Sequence, residues 1–559
     1  MIFLESNWKK NSKQFKERCL KERARLLEDL IQPHETQKST FLNTLKINVN
    51  TQFGKLHEFN KINTIKEFQL NVPIRDYKEF SPFIQKEIEE KGGILNSHKI
   101  IRWLKTSGSC GESKKIPYTN LWMKNYRVPA LYALWANYIV HHPTILENPY
   151  NVLDTQTLRE SPKEFLNELP YQPITNRDQI YDRYDWMPPW YEAPWFTCNV
   201  PDGYEERMYY RLRYLLEKDL RAILTINPST LIALHQCLVG NLSHLVRDIF
   251  NGTIKGEKKF SPNPDFSKKL ETICIKNDFS FKSIWKNLSL VSCWKSSTAK
   301  LYLPQLERLF PNVSFLPFMS CGTEGIVTLP IDRHPVTGPL AINQGFYEFL
   351  PGDYDITKVI KTSRDCLLFN DLELGKEYHL IMSQANGLYR YAVGDVYQVT
   401  GFYNTVPRLE FTRRAEASHS FTGEKLTETH LMEAILPILI KYDLEKSLFL
   451  CLPKWADIPY YYIFLEVPKD INIFSKISNL SKEIDNQLCI INSEYASKRE
   501  TGRLGMIKLQ PVKLGTVQIF LEQQKKLRKN AVQLKYKIFL DKNTHLDLFQ
   551  KNLHESKDN

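Results

Sequence analysis

The chain has 559 residues, 42% of them hydrophobic and 12% aromatic, enough for several subdomains around a sizeable buried core. Its 75 basic and 63 acidic residues give a formal net charge of +12. That surplus would suit an anionic ligand, nucleic acid or a membrane surface, but the basic residues are scattered among acids, which argues against nucleic acid. None of the ten cysteines makes a CxxC pair and the thirteen histidines make no HExxH, which argues against zinc and fits a reducing compartment. The N-terminus becomes charged within a few residues, so no signal peptide is expected. No apolar run reaches the ~18 residues that a bilayer span requires. The expectation is a cytoplasmic protein with no membrane partner.

Along residues 7–45, Phe15, Leu20, Leu26, Leu27 and Leu30 fall at helical spacing and predict amphipathic helices. Asn71-Val-Pro-Ile reads as extended, because proline biases its predecessor away from helix. Ile100, Ile101, Trp103 and Leu104 predict a strand that feeds TSGSCGESKKIP, residues 106–117. In that stretch Gly108 and Gly111 free the backbone to turn several N–H groups toward one anion. Ser107 and Ser109 add hydroxyl donors, and Lys114 can reach a phosphate oxygen. The GxxxxGK[ST] spacing is absent, so this is no Walker loop, and an ordinary surface loop has the same composition.

Residues 121–140 are aromatic-rich and predict a helix, interrupted or kinked near Pro129. Arg127 within it is a candidate partner for a substrate carboxylate, a surface arginine being the alternative. Residues 143–201, with Trp186, Trp190 and Trp195, read as an irregular packed segment or an aromatic pocket. Two helices are expected on either side of Pro228, and residues 252–269 read as an exposed loop. A short strand at 313–318 leads into CGTEG, residues 321–325, where Glu324 is placed to meet a metal or a ligand hydroxyl. Residues 345–351 alternate like a strand. In GLYRYAVGDVYQVTG, residues 387–401, Asp395 follows a glycine and could accept from sugar hydroxyls; a plain turn aspartate is the alternative. Residues 407–428 are polar and mark a domain boundary. A helix at 431–440 and strands at 460–467 and 506–512 then predict a small α+β domain with a basic tail that includes Lys535.

The order and spacing of seven of these stretches resemble one family, the auxin-responsive acyl acid-amido synthetases of the adenylate-forming enzyme superfamily. TQFGKLHEF with VPIRDYKEF is similar to its N-terminal signature. TSGSCGESKKIP and CGTEG are similar to its first two nucleotide motifs, and GFYEFLP and GLYRYAVGDVYQVTGF to the strand and third motif. PRLEFTRRAEASHSFTGEKLTE resembles the hinge, and GTVQIF…VQLK the segment bearing a C-terminal lysine. The resemblance implies an α/β, multi-subdomain α+β chain. A large N-terminal adenylate-forming domain, residues 1–415, would combine helix-flanked β-sheets with a β-barrel subdomain. A small mobile α+β C-terminal domain, residues 416–559, would follow a hinge near 412–426.

The activity implied is ATP-dependent adenylation of a carboxylic acid and transfer of the acyl group to an amine, usually of an amino acid. By the same resemblance Ser107, Gly108, Ser109, Gly111 and Lys114 cradle phosphates. Thr323 and Glu324 sit by the α-phosphate, Glu324 also holding Mg²⁺. Asp395 accepts from the ribose with Tyr391 nearby, Arg413 or Arg414 meets ribose or phosphate, and Lys535 stabilises charge during adenylation. The expected partners are a small carboxylic acid and an amino acid, with ATP and Mg²⁺, for a monomer. Two departures stand out. Cys110 replaces the usual Ser or Thr, and the Tyr-Lys-Ile after Lys535 makes Lys537 its fallback. A ligase passing its acyl group to another acceptor such as a thiol, and a non-catalytic nucleotide-binding descendant, are the other readings.

Overall fold

A computed structural model describes residues 2–105, 114–155, 164–172, 186–197, 204–275, 279–354, 356, 366–415, 418–419, 421–422, 424, 426–456, 458–469, 473, 475–500, 504–527, 536–540 and 546–554. The chain divides into two compact units. Residues 1–295 and 306–411 form the first, and residues 296–305 and 412–559 the second.

In the first unit the helices Ile2–Ile31 and Pro33–Asn48 carry the apolar stripe expected of the N-terminal region. Phe15 on that stripe is buried among Tyr132, Trp135, Trp186 and Trp190, at ring-centroid distances of 5.2 to 5.9 Å. The tryptophans of the irregular segment thus wedge the long helix against Val128–His141. The interruption or kink expected near Pro129 takes the form of a π turn, Met123–Arg127, just ahead of it. Val128 N–H donates five residues back to the Met123 carbonyl, an adjustment that accommodates a proline unable to donate in the next position.

A parallel sheet orders the strands Ser314–Pro317, Leu290–Cys293, Ala222–Leu224 and Val152–Asp154. Sequence patterning foresaw only the first of these. Three- and four-residue strands buried on both faces show no alternation for a reader to find. The loop expected over 252–269 is also revised. Gly252, at φ 68°, ends the helix Leu242–Asn251, a small hairpin follows, and the helix Pro264–Ile275 begins at a proline that suits a first turn.

A second sheet orders Phe346–Pro351, Glu377–Gln384, Leu388–Tyr403 and Val406–Arg414, the first three strands paired antiparallel. Among the described residues it is an open four-stranded sheet, without the closure of a barrel. Its last strand runs through residues expected to begin a polar hinge, and most of that strand is buried. In the second unit the strands Phe449–Lys454, Tyr460–Val467 and Lys508–Lys513 form one sheet, covered by Glu428–Lys441 and Ile477–Ile491. Among the described residues no helix is long and apolar enough to cross a membrane.

Candidate active site

Three stretches far apart in sequence meet at Lys114. The strands Ile100–Lys105 and Lys115–Thr119 pair antiparallel with Lys105 opposite Lys115, which sets Lys114 at the mouth of their connection. Its ammonium donates to the Tyr391 hydroxyl at 2.9 Å and stands 3.5 Å from Glu324 Oε1. It also lies 5.5 Å from the ring centroids of both Tyr77 and Tyr391, within range of cation–π attraction. Tyr77 is fixed from the other side, because its hydroxyl accepts the Lys115 N–H at 2.7 Å. At an effective dielectric of about 20, opposite charges at this separation attract by roughly 5 kcal/mol before desolvation. A multiply charged phosphate can compete for the same ammonium.

Glu324 is 5% exposed and sits on the turn between Ser320–Cys321 and Ile326–Thr328. Gly322 N–H closes the turn on the Gly325 carbonyl at 2.9 Å. The Thr323 hydroxyl donates to Glu324 Oε2 at 3.0 Å, and Asn386 Nδ2 donates to the Glu324 carbonyl at 3.3 Å. A Cβ on Gly322 would lie 2.6 Å from Glu324 Oε2, so a side chain there would displace the carboxylate.

Asp395 is placed by a bulge. His379 faces Val396 and Ile381 faces Ala392, so the stretch holding Val393, Gly394 and Asp395 has more residues than its partner. Gly394 absorbs the surplus at φ 81°, a backbone that a side chain would strain. Bulges of this kind re-aim side chains at the rims of sites. Asp395 is 8% exposed. Two residues on, the Tyr397 hydroxyl pairs with that of Ser320 at 3.0 Å, joining this strand to the start of the Glu324 turn.

The expected residues therefore divide into groups. Lys114, Thr323, Glu324 and Tyr391 come together, with Asp395 further along the Tyr391 strand. Arg127 is not a surface arginine; it is 3% exposed at the end of the π turn. Arg413 and Arg414 end the strand Val406–Arg414 and belong to the second unit. Ser107, Gly108, Ser109, Cys110, Gly111 and Lys535 lie outside the described residues. Lys537 is exposed between buried Tyr536 and Ile538. Sequence reasoning gave no role to Tyr77, Asn386 or Ser320. Tyr77 stands two residues beyond the VPIR segment, and only the fold shows that it faces Lys114.

No three His, Cys, Asp or Glu side chains gather as a metal cage among the described residues. Mg²⁺ does not need one, since it commonly binds through one or two carboxylates plus substrate phosphates, and a buried Glu324 suits that mode.

The chain matches the GH3 family N-terminal domain over residues 22–315, the central domain over 338–414 and the C-terminal domain over 430–544. It is 25% identical over 508 residues to the 4-substituted benzoates-glutamate ligase GH3.12 of Arabidopsis thaliana, covering 84% of this chain and 87% of that protein. It is 25% identical over 432 residues to the indole-3-acetic acid-amido synthetase GH3.2 of the same plant, covering 72% and 78%. Its fold is similar to that of the GH3.15 acyl acid amido synthetase in complex with 2,4-DB. The TM-score is 0.79 at 20% identity, with 96% of each chain covered.

Proposed function

The chain belongs to the GH3 family, and on that premise we propose that it is an ATP-dependent acyl acid-amido synthetase. It would adenylate a small carboxylic acid and pass the acyl group to the amine of an amino acid. The observation that carries the reading is the convergence of Lys114, Glu324 and Tyr391, a cation, a carboxylate and a phenol from three separate motifs.

In the first step an acid carboxylate oxygen attacks the α-phosphorus of ATP and the bond to pyrophosphate breaks. Two anions must approach, so the chain has to supply positive charge. Lys114 exchanges Glu324 for phosphate oxygens when the nucleotide arrives, with Ser107, Gly108, Ser109 and Gly111 adding donors. Thr323 stands beside the α-phosphate, and Asp395 accepts from the ribose hydroxyls. Arg413 or Arg414 meets ribose or phosphate, and Lys535 neutralises charge that develops during attack. Glu324 would hold Mg²⁺, which supplies charge neutralisation at the phosphates. In the second step the amine nitrogen attacks the activated carbonyl, the bond to AMP breaks, and the amine proton is lost. Arg127 is assigned to the acid only by its place on the aromatic helix. The reading includes a monomer in the cytoplasm, with neither nucleic acid nor membrane as partner.

The test is a panel of aryl and indolyl acids offered with ATP, Mg²⁺ and the common amino acids, with products read by mass. An amide that forms only when acid, ATP and amino acid are all present supports the proposal. With a pantetheine-type thiol added to the same panel, an acyl thioester formed in place of the amide would favour a thiol-acceptor ligase. ATP binding without turnover across the panel would favour a non-catalytic descendant.

A further inference from the structure

Next to Tyr391 lies a charge that the reaction does not use. Arg390 is fully buried and adopts φ 46°, a left-handed backbone uncommon for a side chain of its size. Its Nε donates to Glu348 Oε2 at 3.0 Å, and Glu348 is also fully buried. Nη1 donates to the carbonyls of Gln69 and Val72 at 2.8 and 2.9 Å, and Nη2 contacts Cys366 Sγ at 3.2 Å. Gln69 Nε2 closes the ring by donating to Glu348 Oε1 at 3.0 Å. A dry ion pair is weak evidence for stability, since its desolvation offsets most of its attraction. What it fixes is geometry.

The geometry leads to Lys114. With residues 69–72 gripped by the guanidinium, the following residues run parallel to the Tyr391 strand. Arg75 N–H donates to the Arg390 carbonyl at 3.1 Å, and Ala392 N–H donates to the Arg75 carbonyl at 2.8 Å. This places Tyr77 to hold the Lys115 N–H while its ring faces the Lys114 ammonium, with the Tyr391 hydroxyl accepting from the same ammonium. We infer that Arg390 and Glu348 are positioning residues of the nucleotide site. They touch no substrate but set the strand and the segment whose two tyrosines aim Lys114. The inference rests on the reading that Lys114 meets a nucleotide phosphate.

Glu348→Gln in the full chain tests it, by steady-state pyrophosphate release at saturating acid and well below the variant's melting temperature. A misaimed Lys114 weakens binding of substrate and transition state alike, so KM for ATP should rise about tenfold while kcat stays within about threefold. In a Tyr391→Phe background, where the hydroxyl link is already absent, Glu348→Gln should raise KM by less than about threefold more. Gln69→Ala keeps the ion pair and is the milder variant should Glu348→Gln fold poorly. It should raise KM about threefold. A melting temperature that falls while KM for ATP is unchanged overturns the inference, as does an equal KM effect in both backgrounds. Lys114→Ala separates the premise from the inference. Unchanged ATP affinity in Lys114→Ala sinks the phosphate role itself. Weakened affinity there, with Glu348→Gln inert on KM, sinks only the positioning role.

Discussion

Gly325→Ala probes how tightly the carboxylate turn is packed. A Cβ on Gly325 would lie 2.7 Å from Gln384 Nε2, 2.9 Å from its Cδ and 3.3 Å from Met382 Sδ. Gln384 cannot swing aside, because it is fully buried and a Cβ on Gly345 would meet the same amide at 2.4 Å. Its Oε1 also accepts from Trp122 Nε1 at 3.3 Å. Overpacking of this kind costs about 1–3 kcal/mol. For a chain of 559 residues that corresponds to a fall of about 1–3 °C in melting temperature. The turn gives way by moving Glu324 relative to Lys114, so KM for ATP should also rise severalfold. Thermal unfolding and initial-rate kinetics measure both effects. Gln384→Ala removes the obstructing amide, so Gly325→Ala should cost little when added to it. The packing argument fails if Gly325→Ala melts and turns over like the parent chain. It also fails if the cost is the same with Gln384→Ala present.

Other outcomes follow from single groups. Glu466 is buried and its carboxyl is pushed up to about 7 from 4.5, burial being the largest cause, although Val517 N–H donates to it at 2.7 Å. The folded chain therefore keeps a proton there that the unfolded chain releases, and stability falls as pH rises from about 4.5 to 7. The shift corresponds to about 3 kcal/mol. Glu466→Gln should remove that slope from denaturant unfolding of the second unit, and an unchanged slope would assign it elsewhere. Asp395→Ala should weaken ATP binding about tenfold or more by removing a charged acceptor, and unchanged affinity by calorimetry would end its ribose role. Lys535→Ala should abolish pyrophosphate release while ATP still binds, with Lys537→Ala near normal. The reverse pattern would move the role to Lys537.

The sequence was most legible where one short stretch holds its own geometry. CGTEG makes its turn through Gly322 and Gly325, and VGD makes its bulge through Gly394, so the glycines that set the backbone around Glu324 and Asp395 stand in the sequence, while either motif alone reads equally as a plain turn. The strand Tyr460–Val467 was legible residue for residue, and the helix Glu428–Lys441 nearly so. Features made by tertiary contact were not legible. Nothing local marks Arg390 as buried, since its partners Gln69, Val72 and Glu348 are some 40 to 320 residues away. Arg127 likewise reads as a surface cation until the π turn buries it. The parallel strands were hidden by their shortness, and Pro264 read as a loop residue although it starts a helix.

The central claim is that this chain activates a carboxylic acid by adenylation, and acid-dependent exchange of labelled pyrophosphate into ATP tests it most directly. The reaction needs no amine and reports the first step in reverse. The account predicts exchange that requires a carboxylic acid and Mg²⁺, that needs a higher ATP concentration in Lys114→Ala, and that falls when the accepting amino acid is added and drains the adenylate. Tight ATP binding without exchange, for any acid that yields an amide product with this chain, would contradict it.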